Sequence, residues 1–148
     1  MAEFSDNKIR YLEMIQGVVT RMESSSFFLK GGTVTLTAGV LALSSTGLHR
    51  MFVSIAFMAI VVFWGLDSYY LSLERRFRRL FDYIRIDQSA PIDFNLDYHK
   101  ADVWKEGKEQ ASFFRCLISR TEWPFYAVMT AIVLILLSVI SATVNRCL

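Results

Sequence analysis

The stretch Met51 to Arg85 limits what the rest of this chain can be. It opens with an uninterrupted apolar run, MFVSIAFMAIVVFWGL, and passes through Asp67, Tyr69 and Tyr70 into LSLERRFRRLFDYIR. Within this stretch neither Pro nor Gly occurs after Gly65. The pattern predicts one helix, embedded in lipid in its first half and facing water in its second. At a rise of about 1.5 Å per residue its 35 residues reach roughly 50 Å, more than the ~30 Å of a hydrocarbon core. Such a helix joins a membrane part to a water-exposed part.

Two further apolar runs flank it. One extends from Gly31 to Leu48, separated from the second run by a short loop around Ser45 to Arg50. The other covers Pro124 to Val144 and carries no charge. Apolar residues make up 53% of the chain and charged residues 20%, and the charges are clustered between the runs. The expected fold is an all-α membrane protein. It has three transmembrane helices, an N-terminal amphipathic helix and a small cytoplasmic helical bundle, and it forms a homo-oligomer. The expected segments are 1–30 (amphipathic helix), 31–73 (transmembrane hairpin), 74–122 (cytoplasmic helices) and 123–148 (third span and tail).

Lys and Arg set the orientation. Four precede the first run and ten lie between the second and third, whereas Arg50 and Arg146 alone fall on the other side. The bias places the N-terminus and the middle region in the cytoplasm and the C-terminus outside. MAEFSDNKIR has no apolar core before Tyr11, so a cleavable signal peptide is not expected. Cys116 and Cys147 follow no metal or redox spacing and read as ordinary thiols.

Residues 5 to 30 read as an amphipathic helix. Leu12, Ile15, Val19 and Met22 form a heptad-like seam, and a break is expected at Ser24-Ser25-Ser26. In the first span, Gly31, Thr35 and Gly39 make a small-xxx-small series suited to close helix packing. Thr33, Thr37 and Ser44 share a face. They either pack or line a hydrated path in an oligomer, and are the pore or gate candidates together with Asp67. Asp67 also has a structural reading. Counted from the hairpin loop, Asp67 and Lys30 lie at similar depth, so the two are an expected ion pair.

Past the second span, Phe77, Leu80, Phe81 and Ile84 follow the spacing of a buried helix face. Arg75, Arg76, Arg78, Arg79 and Arg85 project elsewhere, with Glu74 opposite Arg78 and Asp82 near Arg79 as local pairs. These arginines either touch anionic lipid heads or, repeated around an axis, form a site for a polyanion such as an oligonucleotide. Tyr83 and Trp104 are candidates to stack on bases. Asp87 to Leu96 is a loop punctuated by Ala90-Pro91. A second cytoplasmic helix is expected from Tyr98 to Ser119, with Val103, Gly107, Ala111, Phe114 and Ile118 on one face. Asp93 and Asp97 read as helix caps, and Thr121 as a cap for the last span with Pro124 in its first turn. The sequence holds no phosphate loop, His-Glu-x-x-His or paired-Cys motif. An enzyme is not expected, nor a cofactor or a metal.

KIRYLEMIQGVVTRM…SFFLKG (Lys8 to Gly31), FWGLDSYYLSLERRFRRLFD (Phe63 to Asp82) and the late third span together resemble a family of small bacterial inner-membrane proteins. These are the membrane effectors paired with a nucleotidyltransferase in Hailong-type anti-phage defence. The resemblance implies an oligomeric ion channel whose cytoplasmic part binds a single-stranded nucleic-acid or nucleotide signal made by the partner. It also implies that this signal keeps the channel shut until infection removes it. Read from residues alone, the chain fits a gated pore or, in the alternative, a non-conducting anchor that recruits a partner protein to the membrane.

Overall fold

The computed structural model describes residues 2–44, 50–87, 90–99 and 112–146. Among them the chain is helical, with no strand. α1 spans Ala2–Ser44, α2 Arg50–Ile86, α3 Phe113–Leu117 and α4 Trp123–Arg146. One described helix is long and apolar enough to cross a membrane, Val53–Ile86, whose most apolar stretch has a mean hydropathy of 1.5. Trp123–Val139 is a shorter apolar segment.

α1 does not break at Ser24-Ser25-Ser26. Its helix runs through the triplet, and the Ser25 hydroxyl donates to the Arg21 carbonyl one turn back at 3.0 Å. A serine that satisfies itself on its own helix has no need to leave it, which is why the expected boundary is absent. The amphipathic helix and the apolar run that follows it are therefore one element. The expected helix from Tyr98 to Ser119 is also revised. A single 3₁₀ turn occupies Tyr98 and His99, and α3 ends at Leu117. Phe114 and Ile118, placed on a buried face by the sequence, are exposed. Val103, Trp104, Gly107 and Ala111 lie outside the described residues.

The chain divides into two compact units. Unit 1 comprises Met1–Ser26 and Tyr69–Cys116, and unit 2 comprises Phe27–Ser68 and Leu117–Leu148. Each draws on α1 and α2, so neither is a continuous piece of sequence.

In unit 1 the α1 seam is Tyr11, Ile15 and Val19, one helical turn apart and fully buried. Leu12 and Met22 are only partly covered, so the inward face is centred one residue earlier than apolar spacing suggests. Tyr11 takes the central place because its hydroxyl has a partner, the Asn95 carbonyl, to which it donates. Phe77, Leu80 and Ile84 of α2 pack on this seam, and Ala90 closes it with Ile92, Leu96 and Tyr98 beside it. Complete burial of a residue such as Ile15 or Leu80 contributes about 1.5–3 kcal/mol.

The 90–97 segment is held by short-range polar contacts. Asp93 accepts from the Asn95 amide at 3.2 Å, and Asp97 from the His99 amide at 3.0 Å. Between them Phe94 adopts φ 54°, the left-handed region, with its ring 5.5 Å from that of Tyr11. Lys8 reaches the Asp87 carbonyl at 3.4 Å and fixes the start of the segment.

Unit 2 packs three helical faces. Val53, Ala56 and Ile60 of α2 are buried, and Tyr126 and Val133 of α4 join them. Val40 of α1, with Phe57, Phe63 and Trp64 of α2, lies against this core. Gly32 faces Phe63, whose ring lies 3.8 Å from its Cβ position, an ordinary contact that a side chain would also accept. Nothing lies within 4 Å of the Cβ positions of Gly31 and Gly39, and both glycines are exposed along with Thr35. The small-residue series therefore faces outward and is not used for packing within the subunit. α4 begins where the Ser119 carbonyl accepts from the amides of Glu122 (3.1 Å) and Trp123 (3.0 Å), with Pro124 in the first turn.

Candidate functional site

The chemistry of unit 2 concentrates where its three helices bring their polar positions together. On α1, Lys30, Thr33 and Thr37 follow one another at helical spacing on the inward face, leading to Val40. On α2 the buried series Val53, Ala56, Ile60 ends in Asp67 and Ser68. Extended back by one turn from Tyr126, the inward face of α4 reaches Glu122. Apolar periodicity thus delivers one cation and two carboxyl groups to the same end of the packed seam.

Lys30 Nζ lies 2.7 Å from Asp67 Oδ2 and 3.0 Å from Glu122 Oε1. Tyr126 donates its hydroxyl to the same Asp67 oxygen at 3.0 Å. Thr33 stands beside the Tyr126 hydroxyl, and the Asp67 and Glu122 carboxyls are within hydrogen-bonding reach of each other. Asp67 is 0% and Glu122 2% exposed, whereas the Lys30 side chain keeps 24% of its surface. Trp64 stacks on Tyr126, ring centroids 6.1 Å apart, and donates its indole N–H to the Leu117 carbonyl at 3.2 Å. The short segment leading into α4 is thereby tied to α2 beside Tyr126.

Lys30 and Glu122 stand just outside the apolar runs. Burial by itself lowers the Lys30 ammonium, but its hydrogen bonds to Asp67 and Glu122 and their charges outweigh burial and hold it above its ordinary value. Burial pushes the Glu122 carboxyl up to about 7. The Asp67 carboxyl adds to the shift, and Lys30 opposes it.

The pore candidates are placed as follows. Thr33 and Thr37 are buried, and each hydroxyl donates to the carbonyl four residues back, Leu29 at 2.9 Å and Thr33 at 2.8 Å. Within one subunit they face the seam. The Ser44 side chain lies outside the described residues. Asp67 is inside the cluster.

The arginines of α2 belong to unit 1 and differ in their surroundings. Arg78 is exposed and is bridged to Glu74 at 2.7 Å and to Glu23 of α1. Arg85 is exposed and paired with Asp82 at 3.1 Å. Arg76 donates to the Tyr98 hydroxyl at 3.3 Å, with its guanidinium carbon 5.2 Å from that ring's centroid, a cation–π geometry. Arg75 is half-buried, and Arg79 is half-buried with Nε and one terminal nitrogen shielded from solvent. The exposed positive charge of this stretch is carried by Arg78 and Arg85, each already balanced by local carboxylates. Tyr83 is half-buried against the unit 1 core.

Sequence reasoning paired Lys30 with Asp67 but missed Glu122 and Tyr126. The signal was present: Glu122, Tyr126, Met129 and Val133 share the spacing of an inward face, and Glu122 opens it. Among the described residues no group of His, Cys, Asp and Glu has the makings of a metal site. Compared with known proteins, the chain shows no significant match to a family model, a curated protein or a solved structure.

Proposed function

We propose that this chain is the subunit of a homo-oligomeric inner-membrane pore, gated by a nucleotide or oligonucleotide bound at the basic stretch of α2. The apolar parts of α1, α2 and α4 cross the bilayer, with the N-terminus cytoplasmic and the C-terminus external. In the setting implied by the resemblance above, the pore is an anti-phage effector and the signal comes from a nucleotidyltransferase.

One observation carries the membrane part of this reading. Unit 2 buries several polar groups beside its apolar core and exposes large apolar side chains on its outside. Thr33, Thr37, Asp67, Ser68 and Glu122 are buried, while Ile55, Met58, Val62, Val128, Ile135 and Val139 are exposed. In water such a surface is an aggregation liability, whereas in lipid it is the favourable arrangement. The outward Gly31–Thr35–Gly39 face is compatible with close contact between copies.

α2 belongs to both units, so a ligand that changes the arginine pairs acts on a helix that also supplies Asp67. The test has two arms. Arg78→Glu with Arg85→Glu should weaken binding of a fluorescent single-stranded oligonucleotide by roughly tenfold or more and flatten its salt dependence. Affinity and salt slope both unchanged would remove nucleic acid from the proposal. Ion flux is then followed in liposomes containing the purified protein; an oligomer that never conducts, with or without oligonucleotide, removes the pore.

A second reading has its own support. Because Thr33 and Thr37 satisfy their hydroxyls on α1 itself, a single subunit presents no hydrated face from these residues, as suits an anchor or scaffold. A monomer in detergent that still recruits a cytoplasmic protein would favour it.

A further inference from the structure

The Lys30 cluster does not balance in charge. One ammonium group faces two buried carboxyl groups, so with both ionised the interior of unit 2 carries a net negative charge out of contact with water, a costly state. Among the described residues, the groups that face it are Lys30 and the Thr33 hydroxyl from α1, Asp67 from α2, and Glu122 and Tyr126 at the start of α4. None of these supplies a second positive charge. Lys30 satisfies Glu122 Oε1, but Oε2 is buried with no hydrogen-bond partner. Two carboxyl groups in reach of each other make a good hydrogen bond only when one of them carries a proton.

We infer that Asp67 and Glu122 share a single proton, and that this junction of α1, α2 and the start of α4 is a proton-binding site. With the proton in place, one carboxylic acid donates to one carboxylate, and the carboxylate balances Lys30. When the proton leaves to water, two anions confront one cation and repel. The raised Glu122 carboxyl agrees with this geometry. The site is distinct from the arginines of α2, and its occupancy is set by pH rather than by a nucleotide.

The proton can be read directly by infrared spectroscopy of the full chain in lipid vesicles, where a protonated carboxyl gives a carbonyl stretch separate from those of carboxylates. This readout needs no conduction, so failure of the pore reading leaves it intact. The wild type should show a protonated-carboxyl band at mildly acidic pH that is lost at mildly alkaline pH. Glu122→Gln and Asp67→Asn should each abolish it across that range, because one carboxylate then balances Lys30. Lys30→Gln should instead move its loss to higher pH. A wild type without the band, or a band of undiminished intensity in either carboxyl variant, would overturn the inference.

Discussion

Replacing Lys30 by Met tests whether the cluster is as buried and as tightly paired as its distances indicate. The substitution keeps most of the side-chain length and removes the ammonium group that lies 2.7 Å from Asp67 and 3.0 Å from Glu122. Both carboxyl groups are nearly inaccessible to solvent, and Lys30 retains about a quarter of its side-chain surface, so solvent screening of the pair is limited. Breaking one partner out of a buried pair costs about 3–5 kcal/mol. That corresponds to a factor of roughly 10²–10⁴ in the unfolding constant. The assay is reversible unfolding in mixed micelles, followed by helical circular dichroism. The loss should shrink as pH is lowered, because protonation neutralises the stranded carboxyls. It should also shrink in Lys30→Met/Asp67→Asn, which leaves one stranded carboxyl group, Glu122, in place of two. A loss below about 1 kcal/mol, the size of an exposed ion pair, would refute the argument. So would a loss independent of pH.

Further outcomes follow from other parts of the molecule. Tyr11→Phe should cost about 1 kcal/mol by stranding the Asn95 carbonyl. Burial first, then the charges of Asp93 and Asp97, push the Tyr11 hydroxyl up to about 12 from 10.0. Its contribution is therefore complete below the unfolded value and is lost as pH rises from about 10 through 12, a dependence the Phe variant should lack in alkaline melts. Leu80→Ala, at a position with no exposure, should destabilise unit 1 by about 2–5 kcal/mol, read as earlier denaturation. Ile135→Asp distinguishes lipid from water around α4. In lipid it should cost about 2.5–3.5 kcal/mol and reduce the membrane fraction after alkaline extraction, whereas at a water-exposed site it would stay within about 0.5 kcal/mol.

Helix content was written in the sequence, because apolar spacing and the scarcity of Gly and Pro inside the runs are local properties. The continuity of α2 across Asp67 followed in the same way. So did the Lys30–Asp67 pairing, since counting residues from a hairpin loop fixes depth along two antiparallel helices. Helix boundaries were less legible. Ser24-Ser25-Ser26 reads as a cap or as an interior triplet from the same letters, and only hydroxyls turned back onto the helix decide between them. The surroundings of the arginines were not legible either: a separation of 55 positions between Glu23 and Arg78 hides a contact that only the packing of unit 1 creates.

What the sequence determined by itself was that long helices form and roughly which of their faces are apolar, because both depend on neighbours within a few turns. Tertiary structure alone decided that Tyr11 centres one core and that Glu122 completes a charge cluster with Lys30 and Asp67. The physical reason is that a buried polar group is tolerated only when a partner distant in sequence arrives at hydrogen-bonding distance. No local pattern encodes that arrival.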